Sequence, residues 1–114
     1  MRSLLIVNPV ASRVTAAVEQ TAVRELEEAT TVEVVRTTHH GEATHLAERA
    51  AAEGFDAILV LGGDGTANEV LNGAGAALPI GLLPGGGTSV MPRNLGLPPS
   101  IPAAARRLAA ALRD

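Results

Sequence analysis

A glycine-rich segment near the middle of the chain has residue types suited to binding a phosphate group. The segment follows an apolar run at residues 57–61 and precedes a stretch of helical character at 67–72. Backbone N–H groups in such a loop, and at the start of the next helix, can point together at one anion. Glycine lets the anion approach the backbone closely. The sequence therefore predicts a phosphate-binding loop composed of Gly62, Gly63, Asp64, Gly65 and Thr66.

Asp64 is the residue of this loop that requires a chemical explanation. A carboxylate beside a phosphate is unfavourable unless it holds a cation, orients a hydroxyl group or accepts backbone N–H bonds. Metal-linked nucleotide chemistry or general-base catalysis would each supply such a role. Residues 66–69 also match a helix-capping pattern, so a plain helix start is the alternative interpretation. Three glycines around an acidic residue exceed what a cap requires, and we favour phosphate binding.

The chain contains no lysine, because all nine of its basic residues are arginine. A Walker-type phosphate loop and a protein-kinase fold each depend on a lysine, so both classes are excluded. The full Gly-x-Gly-x-x-Gly spacing does not occur, which disfavours a dinucleotide-dependent oxidoreductase. The first strand is followed by Asn8 and Pro9 rather than by acidic residues, which disfavours a phosphate-accepting receiver domain.

Three histidines and a glutamate suggest a metal site, but their order argues against one. His39, His40 and His45 surround Glu42, whereas the zinc-binding helix motif places its glutamate directly after the first histidine. We expect solvated histidines in a loop and a helix. The absence of cysteine removes disulfides and thiolate chemistry and makes the cytoplasm the default location.

Composition limits the remaining classes. A chain of 114 residues is long enough for one domain, and Phe55 is its only aromatic residue, so we expect an aliphatic core. The formal net charge of -3 argues against a nucleic-acid surface. Arg106, Arg107 and Arg113 are expected on the solvated face of a last helix. The sequence has no apolar run of the roughly 20 residues that span a membrane.

Hydrophobic periodicity predicts strands that alternate with helices and thus position these residues. Strands are expected at residues 3–7, 31–36, 56–61 and 78–83, and helices at 14–29, 42–53, 67–73 and 100–112, with a short helix at 89–95. The first helix should bury an apolar stripe and present Glu19, Arg24, Glu25 and Glu28 to solvent. This alternation predicts a three-layer α/β fold in which helices cover both faces of a parallel sheet. Ligands of such sheets bind beyond the carboxyl ends of the strands. Asn8, Pro9, Thr37 and the two glycine loops at 62–66 and 84–88 should meet there.

Three segments of the chain, in this order and spacing, resemble the catalytic domain of diacylglycerol kinases. The segments are residues 8–12, residues 62–73 and the loop at 84–93. That family includes bacterial lipid kinases and sphingosine and ceramide kinases. NAD kinases and 6-phosphofructokinases share the glycine-aspartate loop but not its continuation through Asn68, Glu69 and Val70. Ala11 and Ser12 stand where the family usually has Ser-Gly, and residues 88–93 lack the family's asparagine and aromatic residue.

The resemblance implies that this domain binds ATP with Mg²⁺ and that the γ-phosphate passes to a lipid hydroxyl. The residues that it places at ATP are Asn8, Pro9, Val10, Ala11, Ser12, Thr37, Gly62, Gly63, Asp64, Gly65, Thr66, Asn68, Glu69, Gly87 and Thr88. Asp64 would be the catalytic residue, either as a metal ligand or by orienting the acceptor hydroxyl. The metal ligands stay unassigned.

Members of the family add a second, mostly β domain that closes the cleft over the lipid. We therefore expect residues 1–114 to be the nucleotide-binding domain of a longer lipid kinase, with weak ATP binding and no turnover alone. Its partners would be a lipid with a free hydroxyl, a membrane surface reached by the intact protein, and a second copy bound through an edge strand. A non-catalytic nucleotide-binding module, or a phosphotransferase acting on NAD or a sugar phosphate, is the alternative.

Overall fold

The structure is a computed structural model that describes residues 1–84 and 101–113. Within these ranges, strands and helices alternate along the chain. The strands are β1 (Arg2–Val7), β2 (Thr31–Arg36), β3 (Ala57–Gly62) and β4 (Ile80–Pro84). The helices are α1 (Ala16–Leu26), α2 (Glu42–Ala50), α3 (Asp64–Ala74) and α4 (Ile101–Arg113).

The four strands form one parallel sheet in the order β2-β1-β3-β4. The chain first moves outward from β1 to β2, then passes back over β1 to β3 and continues to β4. Right-handed crossovers place helices that connect in opposite directions on opposite faces of a sheet. Accordingly, α1 and α4 cover one face, and α2 and α3 cover the other. This arrangement confirms the predicted three-layer α/β fold.

Side chains of the central strands alternate between two apolar cores. Leu4 and Ile6 face α2 and α3, whereas Leu5 and Val7 face α1 and α4. All six residues of β3 are buried, as expected for a strand covered on both faces. The cores are almost wholly aliphatic, so their packing depends on close contacts between small side chains.

The closest contact between helices joins α2 to α3. A Cβ atom placed on Gly73 would lie 2.3 Å from the carbonyl oxygen of Thr44 and 3.0 Å from the Cβ of Ala47. Since the first of these atoms belongs to the backbone, a side chain at Gly73 would have to push the two helices apart. Alanines contribute to the same core from both helices: Ala43, Ala47, Ala50, Ala67 and Ala74.

The strand predictions are confirmed within two residues at either end, whereas three helices differ from their predicted bounds by three residues at one end. Helix α1 ends at Leu26 rather than at residue 29. Helix α3 begins at Asp64 instead of residue 67, with Gly63 as its N-cap. Thr66 is therefore inside the first turn, and the capping interpretation of residues 66–69 is wrong. Helix α2 ends at Ala50, earlier than predicted, and Gly54 follows with a φ of 91° that favours glycine. Residues 85–100, including most of the second glycine loop, lie outside the described part of the chain.

The charged residues of α1 also depart from expectation at one position. Glu19 is buried, not solvent-facing as predicted, and its carboxylate pairs with the guanidinium of Arg36 at the end of β2. A buried carboxylate requires such a cation or hydrogen-bond donors. Arg106 and Arg113 are exposed as expected. Arg106 pairs with Glu25 of α1 at 3.8 Å, and Arg113 pairs with Glu28, just after α1, at 3.9 Å.

Replacing Gly73 by alanine should lower the free energy of unfolding by at least about 2 kcal/mol, because the new methyl group overlaps the backbone of α2. Urea unfolding followed by circular dichroism measures the change. Gly65→Ala is the matched control: Gly65 lies in the same helix, α3, but a Cβ atom placed there would meet no other atom within 4 Å. It should leave stability unchanged or raise it by up to about 1 kcal/mol. Equal effects of the two variants would contradict the close packing inferred at Gly73.

Candidate functional site

A cleft of about 410 Å³ opens at the carboxyl ends of the strands, between the segments that follow β1, β2 and β3. The chain leaves β1 and β3 in opposite directions, so these segments diverge. Open α/β sheets bind their ligands at such a point of divergence. The lining residues are Asn8, Val10, Ala11, Ser12, Thr37, Thr38, His39, His40, Gly63, Gly65, Thr66 and Glu69.

One wall of the cleft is a tight turn after β1. The backbone N–H of Asn8 donates to the carbonyl of Leu61 at 2.9 Å, which extends the pairing of β1 with β3 by one residue. The side-chain oxygen of Asn8 accepts the N–H of Val10, and its carbonyl accepts the N–H of Ala11, both at 3.2 Å. Asn8 thus stabilises the turn by accepting the backbone N–H groups of the residues that follow it. Val10, at the tip, is 87% exposed.

The floor of the cleft is the start of α3. The carbonyl of Gly63 accepts the N–H of Ala67 at 3.1 Å, so the N–H groups of the first turn have no partner within the helix. They include the N–H groups of Gly63, Gly65 and Thr66, and the positive end of the helix dipole lies with them. Thr66 is buried beneath the loop. This end of α3 can receive an anion.

Gly62 lets the first wall and the floor meet. A Cβ atom on Gly62 would lie 3.1 Å from the Cβ of Thr66 and 3.3 Å from the Cβ of Asn8. These distances are shorter than ordinary van der Waals contacts, so a side chain at this position would force the Asn8 turn away from α3.

The third wall is the segment between β2 and α2. The N–H of Thr37 donates to the carbonyl of Val7 at 2.8 Å, which fixes the start of the segment against β1. The carboxylate of Glu42 accepts the N–H of Thr38 at 2.6 Å and its hydroxyl at 3.2 Å. His39 and His40 follow with exposed side chains, as expected from the sequence, yet both line the cleft. That location was not predicted, because it depends on the turn that brings residues 38–40 above α3.

Glu69 joins the third wall to the floor. One carboxylate oxygen accepts the N–H of Gly41 at 3.0 Å, and the other lies 3.6 Å from Nδ1 of His40. The carbonyl of Glu69 accepts the hydroxyl of Thr44 at 3.0 Å. Both the main chain and the side chain of Glu69 therefore contact the beginning of α2.

The residues expected at ATP from the sequence fall into three groups. Those that line the cleft are Asn8, Val10, Ala11, Ser12, Thr37, Gly63, Gly65, Thr66 and Glu69. Pro9, Gly62, Asp64 and Asn68 lie next to lining residues but outside the lining itself, and Asn68 is exposed on α3. Gly87 and Thr88 lie outside the described residues. Asp64 occupies the first position of α3, where the helix dipole favours a carboxylate.

Comparison with known protein families assigns nearly the whole chain to one of them. The model of the diacylglycerol kinase catalytic domain matches residues 2–113. The chain belongs to this family. This match confirms, at the level of the family, the resemblance that the three sequence segments indicated.

Individual relatives of the diacylglycerol kinase family agree with this assignment. The chain is 48% identical over 66 residues to the diacylglycerol kinase of Bacillus subtilis, a match that covers 54% of this chain and 22% of that protein. It is 41% identical over 75 residues to the diacylglycerol kinase of Mycobacterium tuberculosis, covering 65% of this chain and 24% of that protein. The matched stretches thus span about a quarter of these relatives or less.

A solved structure shares the fold. The crystal structure of a diacylglycerol kinase from Bacillus anthracis superposes with a TM-score of 0.85 at 33% identity, covering 96% of this chain and 40% of that one. The sheet and its flanking helices are therefore the architecture of a diacylglycerol kinase domain. No helix among residues 1–84 and 101–113 combines the length and apolar character needed to cross a membrane.

Acid should loosen the third wall of the cleft. The N–H bond from Thr38, together with the Thr38 hydroxyl and the nearby His39, holds the pKa of Glu42 below its ordinary value of 4.5. A lowered pKa in the folded state means that this interaction stabilises the loop above pH 4.5 and is lost as pH falls through the folded pKa. NMR titration should therefore show an acid transition of the Thr38 amide shift whose midpoint lies below pH 4.5. In Glu42→Gln this titration should disappear, and a Thr38 shift that moves identically in both proteins would refute the assignment.

Proposed function

We propose that this chain forms the ATP-binding side of a lipid-kinase active site, in which the γ-phosphate of ATP passes to a lipid hydroxyl. The observation that carries the proposal is the position of the cleft. It lies where the chain leaves β1 and β3 in opposite directions, and its floor is the glycine-bounded start of α3. Membership of the diacylglycerol kinase catalytic domain family supports the reaction class.

Backbone groups bind the phosphates in this proposal. The N–H groups at Gly63, Gly65 and Thr66 have no helical partner and stand at the positive end of α3. The lysine-free sequence makes such groups the principal donors available on the floor. The hydroxyl of Thr66 adds a donor. Gly87 and Thr88, which the sequence also predicts at ATP, lie outside the described residues.

Asp64 supplies the carboxylate chemistry. Mg²⁺ in phosphoryl-transfer sites is held by one or two carboxylates together with phosphate oxygens and water. Asp64, at the first position of α3 and beside the residues that line the cleft, offers one such carboxylate. Asp64 would hold Mg²⁺, which neutralises charge that develops on the phosphates. The alternative role for Asp64 would be to orient the acceptor hydroxyl and take its proton.

The nucleoside would extend from the floor toward the walls made by residues 8–12 and 37–40. Thr37 offers a hydroxyl there, although in the structure it donates to the carbonyl of Val7 at 3.3 Å. The lipid would approach from the open side of the cleft. Residues of the intact protein beyond this domain would enclose that lipid and contact the membrane surface, in keeping with the greater length of the relatives.

Nucleotide binding by this chain can be measured directly. Isothermal titration of the purified chain with ATP and Mg²⁺ should give weak but saturable binding, and the melting temperature should rise with nucleotide concentration. GTP and inorganic triphosphate, used as matched titrants, separate recognition of the base from recognition of the phosphates. No heat and no thermal shift at millimolar ATP would count against the proposed function and against a non-catalytic nucleotide-binding module.

Asp64→Asn in the intact protein should reduce phosphoryl transfer to diacylglycerol vesicles by about a hundredfold or more, because a general base or metal-binding carboxylate is lost. Transfer of radiolabel from the γ-phosphate measures the rate. Asp56→Asn is the matched control, because Asp56 lies at the amino end of β3, at the opposite end of the strands from the cleft. Its carboxylate accepts the N–H of Arg2 at 2.8 Å, and asparagine retains an acceptor. Near-wild-type transfer by Asp64→Asn, with an intact melting transition, would remove Asp64 from the mechanism.

A further inference from the structure

We propose that Glu69 is a positioning residue: its carboxylate caps the start of α2 from the neighbouring helix α3 and so holds the third wall of the cleft in place. This assignment rests on the proposed function, since the wall matters only if the cleft binds nucleotide. It also revises the role expected from the sequence, in which Glu69 would contact the phosphates.

Helix α2 lacks the caps that usually begin a helix. Its N-cap is Gly41, which has a φ of 87° and no side chain that could accept an N–H bond from the first turn. In a capping box, a glutamate or glutamine three residues into the helix accepts the N–H of the N-cap residue. That position in α2 is occupied by Thr44, whose hydroxyl instead donates to the carbonyl of Glu69.

Glu69 supplies the missing acceptor from another helix. Its carboxylate accepts the N–H of Gly41 at 3.0 Å, which is the bond that a capping-box glutamate would make. A negative charge near a helix N-terminus is also favourable to the helix dipole. The cap depends on the close approach of α2 and α3, and Gly73, one turn along α3, permits that approach.

The cap fixes the far end of the third wall, which is the end at Gly41 that leads into α2. The near end is held by the bond from Thr37 to Val7 at 2.8 Å, and the middle by Glu42, which accepts the N–H of Thr38. Without Glu69, the glycine at the far end would be free to change its backbone angles, because glycine has more accessible conformations than other residues. Thr38, His39 and His40, which line the cleft, would then lose their fixed position.

Direct contact between Glu69 and phosphate is the less favourable arrangement. A carboxylate beside a polyphosphate is repelled by it unless a cation intervenes. In the structure one oxygen of Glu69 is bound to Gly41, and the other faces His40 at 3.6 Å. The carboxylate is therefore turned toward the wall that it supports.

The test uses Glu69→Ala and Glu69→Gln in this chain, with two independent measurements. The first is hydrogen exchange of the Gly41 amide by NMR, which needs no nucleotide. Exchange should accelerate by about tenfold or more in Glu69→Ala, because a hydrogen bond to a charged acceptor is lost. It should stay slow in Glu69→Gln, whose amide oxygen can still accept. Glu48→Ala is the matched control, since Glu48 pairs only with His45 among the described contacts and lies outside the cleft lining.

The second measurement is the Kd for ATP with Mg²⁺ by calorimetry, alongside the melting temperature. Glu69→Ala should weaken binding by about tenfold, since an unfixed wall must be ordered on binding, and Glu69→Gln should recover most of the affinity. If the two variants bind equally poorly, the charge acts directly on the ligand and the positioning role is wrong. If Glu69→Ala lowers only the melting temperature, the residue is structural alone. Unchanged Gly41 exchange in Glu69→Ala would overturn the cap even if wild-type ATP binding fails, an outcome that separately defeats the proposed function.

Discussion

The close approach of α2 and α3 is the contact on which the geometry of the cleft depends. At Gly73 the backbone of one helix meets the backbone of the other without an intervening side chain. This contact fixes α3 relative to α2, and each helix begins at the cleft. The first turn of α3 forms the floor, and the third wall leads into α2. Packing a few turns below the site thereby places the floor and the third wall relative to each other.

An aliphatic core makes this mode of construction necessary. With one aromatic residue in the chain, no large side chain can fill gaps between the helices and the sheet. At Gly73 the space is closed by bringing the two helix backbones together, and at Gly81 by leucine side chains packed onto the strand, where a Cβ would lie 3.0 Å from atoms of Leu108 and Leu59. Close packing of this kind resists small displacements, because no soft side chain can absorb them. A binding site that relies on backbone N–H groups benefits from a scaffold that holds those groups still.

Most of the fold followed from the sequence, because buried strands and amphipathic helices have clear periodicities. The errors occurred where tertiary contacts override local pattern. Thr66 and Glu69 have the spacing of a capping box, yet α3 starts earlier, with Gly63 in an extended conformation as its N-cap. Glu19 lies on what looks like a polar helix face, but the neighbouring end of β2 provides Arg36 as a partner. The pairing of Glu19 with Arg36 joins residues 17 positions apart, so it cannot be detected from neighbours in the sequence.

The candidate site divides in the same manner. The residues after β1 and at the start of α3 were predictable, since the carboxyl ends of parallel strands meet at one edge. The contribution of His39 and His40 was not, because it depends on a turn held by Glu42 and Glu69 from two different helices. Sequence indicated that Glu69 belongs to the site, and only the structure shows which atoms its carboxylate contacts.

Gly62 determines how wide the cleft is at its base. A Cβ atom on Gly62 would lie within 3.1–3.3 Å of Thr66 and Asn8, so an added methyl group would require these neighbours to move apart by a few tenths of an ångström. The spacing between the first wall and the floor is thus a fixed length, set by the smallest residue available. A larger residue at this position would therefore move the first wall relative to the floor without itself entering the lining of the cleft.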